Sequence, residues 1–139
     1  MLGPVWGYNL NMESHQFRHF AQVHIDTTRD IFGVELDFDE KSILELDNLI
    51  QKGWPDEPPI QIDNVILLIG SFLGEAIIKT LNGEWEETQQ GWGIRVKNAT
   101  LMVFSKVKKR LLNGMEDSIS FYYTSTKKML EDDFRVISK

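Results

Sequence analysis

Hydrophobic and polar positions follow a helical period along the first part of the chain. Between Asn11 and Phe32 the side chains form two groups when they are placed about 100° apart around a helix. One group is mainly apolar and comprises Phe17, Phe20, Ala21, Thr28 and Ile31. The opposite group is polar, and Gly33 follows the last apolar residue. Because glycine commonly ends a helix, the pattern predicts an amphipathic first helix that ends near Gly33.

A second amphipathic helix is expected after a cluster of acidic residues. Either Asp37 or Asp39 can cap it, and it is predicted to continue to about Gln51. Its buried stripe is expected to be Ile43, Leu44, Leu46, Leu49 and Ile50. Gly53 ends the helix, and three of the four prolines of the chain follow. Because proline cannot continue a helix interior, we expect an exposed connection there that contains Trp54.

The most hydrophobic stretch of the chain predicts a third helix, over residues 63–82. Asp63 is expected to cap it, and Gly83 occupies the position where a left-handed residue commonly ends a helix. The polar residues form one narrow strip, expected to be solvated, of Ser71, Glu75, Lys79 and Asn82. A helix that is apolar around most of its circumference belongs in the middle of a domain. Its uncharged part is too short to cross a bilayer, so we expect a central core helix and no membrane association.

After Gly83 the hydrophobic period changes from that of a helix to that of a strand. The segments EWEET and WGIRV, joined by the turn-prone QQG, predict a β-hairpin. After the turn KNA, the segment TLMVF is expected to be a third strand, which gives a small antiparallel meander over residues 84–104. Ser105 is then predicted to cap a short basic helix through Leu112, and residues 115–133 predict a last helix. The expected fold class is α+β.

Length and charge narrow the classes of function. A chain of 139 residues has the usual size of one domain, so a single domain over residues 1–139 is expected. The net charge is −6, and residues 1–69 contain 12 acids against 4 bases, whereas residues 70–139 contain 9 against 11. An acidic total disfavours general nucleic-acid binding. The first residues lack the pattern of a secretory signal, so the expected location is the cytoplasm.

Two stretches of the second half resemble a known pattern. IGSFLGEAIIKTLNGEWEET and LMVFSKVKKRLLNGMEDSISFYY together resemble a bacterial domain family of unknown function, over residues 63–123. The matching positions are Gly70, Gly74, Glu75, Gly83, Trp85, Phe104, Val107, Lys109, Arg110, Asn113 and Gly114. Val103 stands where a proline is expected. The resemblance implies a fold and supplies no activity.

The sequence contains no complete motif for a metal or a cofactor. The sequence contains no cysteine, which excludes disulfides and thiolate metal sites. His15 and His19 lie one helical turn apart, a spacing that can hold zinc or copper, but no third ligand lies beside them, and His24 is expected at the core edge with a hydrogen bond. Neither GxGxxG nor GxxxxGK[ST] occurs, so no nucleotide fingerprint is present. We therefore expect no metal site and no cofactor.

Glu75 is the acid in the most unusual surroundings, because it lies in an otherwise hydrophobic helix. Partial burial can suit a carboxyl group to proton transfer. Lys79 lies four residues further along, in the favourable order for an ion pair. We favour the structural interpretation, which is a Glu75–Lys79 bridge on the solvated strip. The alternative is an enzyme for a small ligand, or a hydrolase, that uses Glu75 as its proton carrier.

The chain contains one basic cluster, which suggests a second alternative. Its members are Lys106, Lys108, Lys109 and Arg110. Trp85 and Trp92 could stack on bases beside it, which would make the protein a nucleic-acid binder. The alternation of these cations with Leu111 and Leu112 is equally typical of a solvated helix face, and we favour that interpretation.

The function we expect is that of a non-catalytic module that recognises another protein, for example a toxin that it neutralises. The acidic first half favours a partner of complementary charge. Trp54 and Trp92 lie in segments that are expected to be exposed, and exposed aromatic residues are enriched at interfaces. Gly70 and Gly74 form a GxxxG pattern, which in a soluble helix predicts the close approach of another element to the backbone.

Overall fold

The computed structural model describes residues 12–138, with side chains described as far as Asp132. Asn11, the predicted start of the first helix, lies outside this range. The helices are α1 (Ser14–Phe32), α2 (Glu40–Gly53), α3 (Ile62–Leu81), α4 (Val103–Asn113) and α5 (Ile119–Ser138). The strands are β1 (Glu84–Thr88), β2 (Gly91–Val96) and β3 (Ala99–Leu101), and they form one antiparallel sheet in the order β1-β2-β3. The predicted α+β class and the β-meander are confirmed.

Helix α3 lies in the middle of the protein, as its composition predicts. Every residue from Ile69 to Ile77 is buried, and α1, α4 and the sheet pack around this stretch. The helix also meets the length and composition of a membrane-crossing segment, a test that core helices of soluble proteins pass as well. In this structure 56% of its apolar window is buried inside the protein.

The two glycines of α3 let aromatic side chains approach its backbone. A Cβ atom at Gly70 would overlap the ring of Phe104, and one at Gly74 would overlap the indole of Trp85. Phe104 belongs to α4 and Trp85 to β1. The close approach predicted from the GxxxG pattern is therefore confirmed, and it joins the central helix both to α4 and to the sheet.

The end of α1 and the beginning of α2 agree with the sequence prediction, whereas α1 begins only at Ser14 and α2 continues through Gly53 instead of ending near Gln51. Gly33 follows α1 with φ 69°, in the left-handed region that glycine tolerates best. The Asp39 carboxylate accepts a hydrogen bond from the backbone N–H of Ser42 at 2.8 Å, so Asp39 rather than Asp37 caps α2. Two expected members of the buried stripes are exposed instead, because Ile31 and Leu44 lie at the edges of their helix faces.

Both predicted ends of α3 are wrong by one or two residues. The helix begins at Ile62 after Gln61, so Asp63 lies in the first turn and does not cap it. At the other end Asn82 takes the left-handed conformation, with φ 61°, in place of Gly83. Asparagine tolerates this conformation better than most residues. The prediction failed because either residue of the Asn-Gly pair can end a helix in this way.

The predicted third strand is shorter than expected, because its last residues belong to a helix. Strand β3 ends at Leu101, and α4 begins at Val103, two residues before the predicted cap Ser105. Val103, Phe104 and Val107 are all buried, and their spacing continues the apolar stripe of α4 back to its first turn. A short apolar run fits a strand or a helix equally well, and here the longer helical stripe prevails.

The predicted last helix is divided in two. Residues Gly114–Asp117 form a 3-10 turn, and α5 begins only at Ile119 and continues to Ser138. The backbone N–H groups of Ile119 and Ser120 donate to the carboxylate of Asp47, at 3.1 and 2.9 Å. A side chain of α2 therefore fixes where α5 begins, and this tertiary contact could not be found from the local sequence.

Candidate functional site

An apolar pocket of about 310 Å³ lies between α1, α2 and α3. The second half of α1, the end of α2 and the first half of α3 provide its walls, and Trp54 completes it just after α2 ends. The apolar side chains in its lining include Ile31, Leu46, Leu49, Ile50, Trp54 and Leu68. Volumes of this size lie at the lower end of the range of about 300–1,000 Å³ found for ligand pockets.

The local sequence explains why a pocket forms at this place. Residues on α1 and α2 that contribute to the wall recur at intervals of three and four, which places them on one face of each helix. Both helices end there, α1 at Phe32 and α2 at Gly53. The last residues of both helices, Phe32 and Gly53, line the space between them. Trp54 fills part of that space and is half-buried.

Three polar side chains line the pocket, those of His24, Thr27 and Thr28, and none of them carries a charge near neutral pH. The His24 ring lies with its Nε2 atom 3.5 Å from the Thr28 hydroxyl. Burial lowers the pKa of His24 from 6.5 to about 4, because the charged imidazolium is poorly solvated there. The expectation that His24 lies at the core edge beside a hydrogen-bonding partner agrees with this arrangement.

The pocket is bordered by exposed apolar surface. Ile31 is 67% exposed and Phe32 is 37% exposed, and both line the pocket. Scattered exposed apolar residues are normal, whereas a contiguous group beside an apolar pocket marks a binding surface. The sequence analysis did not identify this site, although an apolar pair immediately before a helix-ending glycine is a signal that could have indicated it.

A second, shallower depression of about 500 Å³ adjoins the first and shares Gly53 and Trp54 with it. Its lining is the loop that follows α2, including Asp56, Glu57 and Ile60. Both carboxylate residues are exposed. Trp54 therefore belongs to the lining of both the apolar pocket and the acidic depression.

Glu75 lies away from this pocket and does not bond to Lys79, so the predicted Glu75–Lys79 bridge is wrong. Its side chain is 8% exposed. One carboxylate oxygen accepts a hydrogen bond from Trp85 Nε1 at 2.8 Å, and the other lies 3.4 Å from Nε of Arg18. The predicted solvated strip is in fact buried at Ser71 and at Glu75, because α1 and β1 cover it.

Trp85 and Trp92 take part in an aromatic cluster around Phe17. The Phe17 ring centroid lies 4.4 Å from that of Trp85 and 5.4 Å from that of Trp92. The Trp85 ring also stacks on Phe104 at 5.7 Å. Both tryptophans are half-buried. Their ring faces pack inside the protein, and stacking on bases would require that packing to open.

The predicted basic cluster does not form one exposed surface. Arg110 is 3% exposed, and its Nε donates to the Asp47 carboxylate at 2.8 Å, so its inclusion among the exposed cations is wrong. Lys106 is mostly buried and pairs with Asp117 at 3.3 Å. Lys108 and Lys109 are exposed. Of the four cations in the predicted cluster, two adjacent lysines are therefore exposed.

Asp47 receives more hydrogen bonds than any other carboxylate of the described residues. Its oxygens accept from Arg110, from the Ser118 hydroxyl and from the first backbone N–H groups of α5. Burial favours the neutral acid, but the hydrogen bonds from Ser120, Arg110, Ile119 and Ser118 outweigh it and lower the pKa of Asp47 below its usual value. This cluster has a structural role, because it joins α2, α4 and α5.

The histidine pair considered for metal binding lies on the surface of α1. His15 Nδ1 is 3.3 Å from a carboxylate oxygen of Glu13, and both side chains are largely exposed. Across the part of the chain that the structure describes, no three His, Asp or Glu side chains converge into a group that could hold an ion.

Comparisons with protein-family models, with curated proteins and with solved structures found no match for this chain. The resemblance to a bacterial family stays a prediction from the sequence. The geometry of the pocket and its surroundings is therefore the basis for a proposal about function.

Proposed function

We propose that the protein is a non-catalytic binding module, and that it recognises another protein through the apolar pocket between α1, α2 and α3. The observation that carries this proposal is the pocket itself, about 310 Å³ in volume and bordered by exposed apolar side chains. A cavity of this size suits one bulky side chain of a partner. Interface energy is concentrated where such an anchor enters a desolvated pocket.

The identity of the pocket residues also favours binding over chemistry. Burial lowers the pKa of His24 to about 4, which makes its imidazole a weak base for the Thr28 hydroxyl beside it. Trp54 supplies a large, rigid and partly exposed surface. Tryptophan is among the residues most enriched at positions that dominate binding energy.

The two alternative functions receive less support. Glu75 lines neither the apolar pocket nor the depression that adjoins it, and both of its carboxylate oxygens already have donors. A nucleic-acid site at the basic cluster would depend on Lys108 and Lys109, since Arg110 is buried against Asp47.

The proposal is tested by closing the pocket at its mouth. Thr27 lines the pocket and is exposed, so Thr27→Trp is expected to occupy the mouth without entering the core. The matched control is Thr124→Trp, an exposed threonine on α5, a helix that contributes nothing to the pocket lining. Each protein is used as immobilised bait in lysate of the source organism, and bound proteins are quantified.

We expect a protein that binds saturably to the wild type and to Thr124→Trp and is lost with Thr27→Trp. Hydrogen exchange of the complex should then show protection in α1, in the end of α2 and around Trp54. If the same proteins bind equally to all three baits, or if protection appears elsewhere on the protein, the pocket is not the recognition site.

A further inference from the structure

The apolar pocket and the acidic depression share two residues, Gly53 and Trp54, and therefore form one composite surface. The first part is lined almost entirely by apolar side chains, whereas the second contains the exposed carboxylates of Asp56 and Glu57. A partner that covers Trp54 meets both parts at once. Such a partner therefore contacts apolar side chains in one part and carboxylates in the other.

The loop that carries the two acids is restricted by proline. Pro55 precedes Asp56, and Pro58 and Pro59 follow Glu57. Proline fixes its own φ and restricts the residue before it, so the loop gives up less conformational freedom when a partner binds. Carboxylates on such a loop are arranged before the partner arrives, which favours affinity.

The segments around the pocket carry a net negative charge, like the loop with Asp56 and Glu57. The two stretches that contain the lining of the pocket, residues 24–32 and 46–69, together contain six acids and two bases. One of these acids, Asp47, is neutralised by Arg110 in the interior. The remaining charge is negative, and it favours approach of a cationic partner over an anionic one.

We propose that the partner presents a segment in which a bulky apolar side chain is flanked by lysine or arginine residues. The apolar side chain enters the pocket, and the cations lie over Asp56 and Glu57. This inference rests on the proposed function, and it specifies the class of protein segment that the site selects. Apolar burial supplies most of the affinity, and the acidic loop supplies the selectivity and a faster encounter.

A second copy of this chain is the competing occupant. Lys108, Lys109 and Leu112 are all exposed on α4, and they offer cations next to an apolar side chain. A contact of this kind would join different surfaces of two copies, and such head-to-tail contacts continue into open filaments unless a ring closes. We therefore commit to a different protein as the partner.

The test uses four labelled peptides of equal length. Three share a central tryptophan and differ only in their flanks, which are four lysines, four glutamines or four glutamates. The fourth has lysine flanks and alanine in place of tryptophan. Each is titrated by fluorescence anisotropy against the wild type, Thr27→Trp, Ile31→Glu and the double variant Asp56→Asn/Glu57→Gln. Circular dichroism establishes whether each variant is folded. If Thr27→Trp does not fold, Ile31→Glu takes its place as the variant with an altered pocket.

We expect the lysine-flanked tryptophan peptide to bind the wild type about fivefold more tightly than the glutamine-flanked one, with the glutamate-flanked peptide weakest. The Asp56→Asn/Glu57→Gln variant should bind the three tryptophan peptides with much smaller differences in affinity. Added salt should also reduce these differences. Thr27→Trp and Ile31→Glu should weaken all three tryptophan peptides. The alanine peptide should bind poorly.

Three results would overturn the inference. Equal binding of the three tryptophan peptides would remove the preference for cations while leaving the pocket as a recognition site, so the proposed function would survive. If the alanine peptide binds as tightly as the tryptophan peptides, or if no peptide binds saturably, the site does not recognise a bulky apolar side chain flanked by cations. The bait comparison with Thr27→Trp then tests the proposed function separately. Concentration-dependent self-association of the wild type that is lost both in Thr27→Trp and in Leu112→Ser would identify a second copy as the occupant.

Discussion

The Nε atom of Arg110 donates a hydrogen bond of 2.8 Å to the carboxylate of Asp47, and both side chains are buried. A second nitrogen of the guanidinium donates to the backbone carbonyl of Asp47 at 3.3 Å. The pair joins α4 to α2 across 63 positions of the sequence. Because Asp47 also accepts from the first residues of α5, one carboxylate connects three helices.

Replacing Asp47 should therefore be costly. We expect Asp47→Asn to lower the free energy of unfolding by about 3 kcal/mol, because it leaves the Arg110 cation buried without its counter-charge. Denaturation by urea, followed by circular dichroism, measures the change. Asn48→Ala, at the exposed neighbouring position, is the control and should change the same quantity by less than about 0.5 kcal/mol.

The double variant Asp47→Asn/Arg110→Met separates the two parts of this effect. With the cation removed as well, the double variant should lose clearly less stability than the two single changes added together. A strictly additive result would mean that the two side chains do not depend on each other, in contradiction to the ion pair.

Acid should destabilise the protein partly through His24. Its pKa is about 4 in the folded protein, whereas 6.5 is the ordinary value for a histidine in an unfolded chain, so between these pH values the unfolded chain binds a proton that the folded protein does not. Stability is therefore fully present above pH 6.5 and decreases as the pH falls towards 4, by up to about 3 kcal/mol from this group. The pH dependence of urea denaturation measures it.

The matched comparison for this effect uses histidines of different exposure. His24→Leu should flatten the stability profile between pH 6.5 and pH 4. His15→Gln and His19→Gln replace exposed histidines on the same helix and should leave the slope close to that of the wild type. An identical slope in the wild type and in His24→Leu would show that burial of the imidazole is not responsible.

Gly74 should not tolerate a methyl group. A Cβ at this position overlaps the Trp85 ring, and overpacking of this kind costs about 1–3 kcal/mol. Gly53→Ala is the natural control, because its Cβ would lie 3.8 Å from Phe32 in ordinary contact, and alanine favours helix over glycine. We expect thermal unfolding at a lower temperature for Gly74→Ala than for Gly53→Ala. The reverse order would contradict the packing.

Two tryptophans offer a matched test of the Glu75 hydrogen bond. Trp85 Nε1 donates to Glu75 at 2.8 Å, whereas the buried Nε1 of Trp92 has no acceptor within the described range. Trp85→Phe should therefore cost about 1–3 kcal/mol more in unfolding free energy than Trp92→Phe, since it leaves a buried carboxylate with fewer donors. Equal costs for the two variants would mean that the bond contributes little.

The elements of the fold followed from periodicity, since the apolar stripes of α1, α2 and α3 are long enough to identify a helix without ambiguity. The segment TLMVF was too short to distinguish strand from helix, and its last residues join α4. The beginning of α5 depends on Asp47, which lies far away in sequence. The sequence around residue 119 therefore does not show where this helix begins.

The site was harder to predict than the fold. Spacing alone suggested that Glu75 bonds to Lys79, because residues four apart are neighbours on a helix, but folding brings the Trp85 indole to the same carboxylate. The apolar pocket is a gap left between three helices, and its existence depends on how closely their faces pack. Sequence gives the faces of the helices but not the space between them.

The position of Asp47 at the start of α5 has a consequence for how the protein opens. Detachment of α5 would leave a carboxylate in the interior with two fewer backbone donors. The terminal helix should accordingly separate from α2 only in the same event that loosens α2 itself. Slow exchange of the amide protons of Ile119 and Ser120 would then report the opening of two helices that are separated by half the chain.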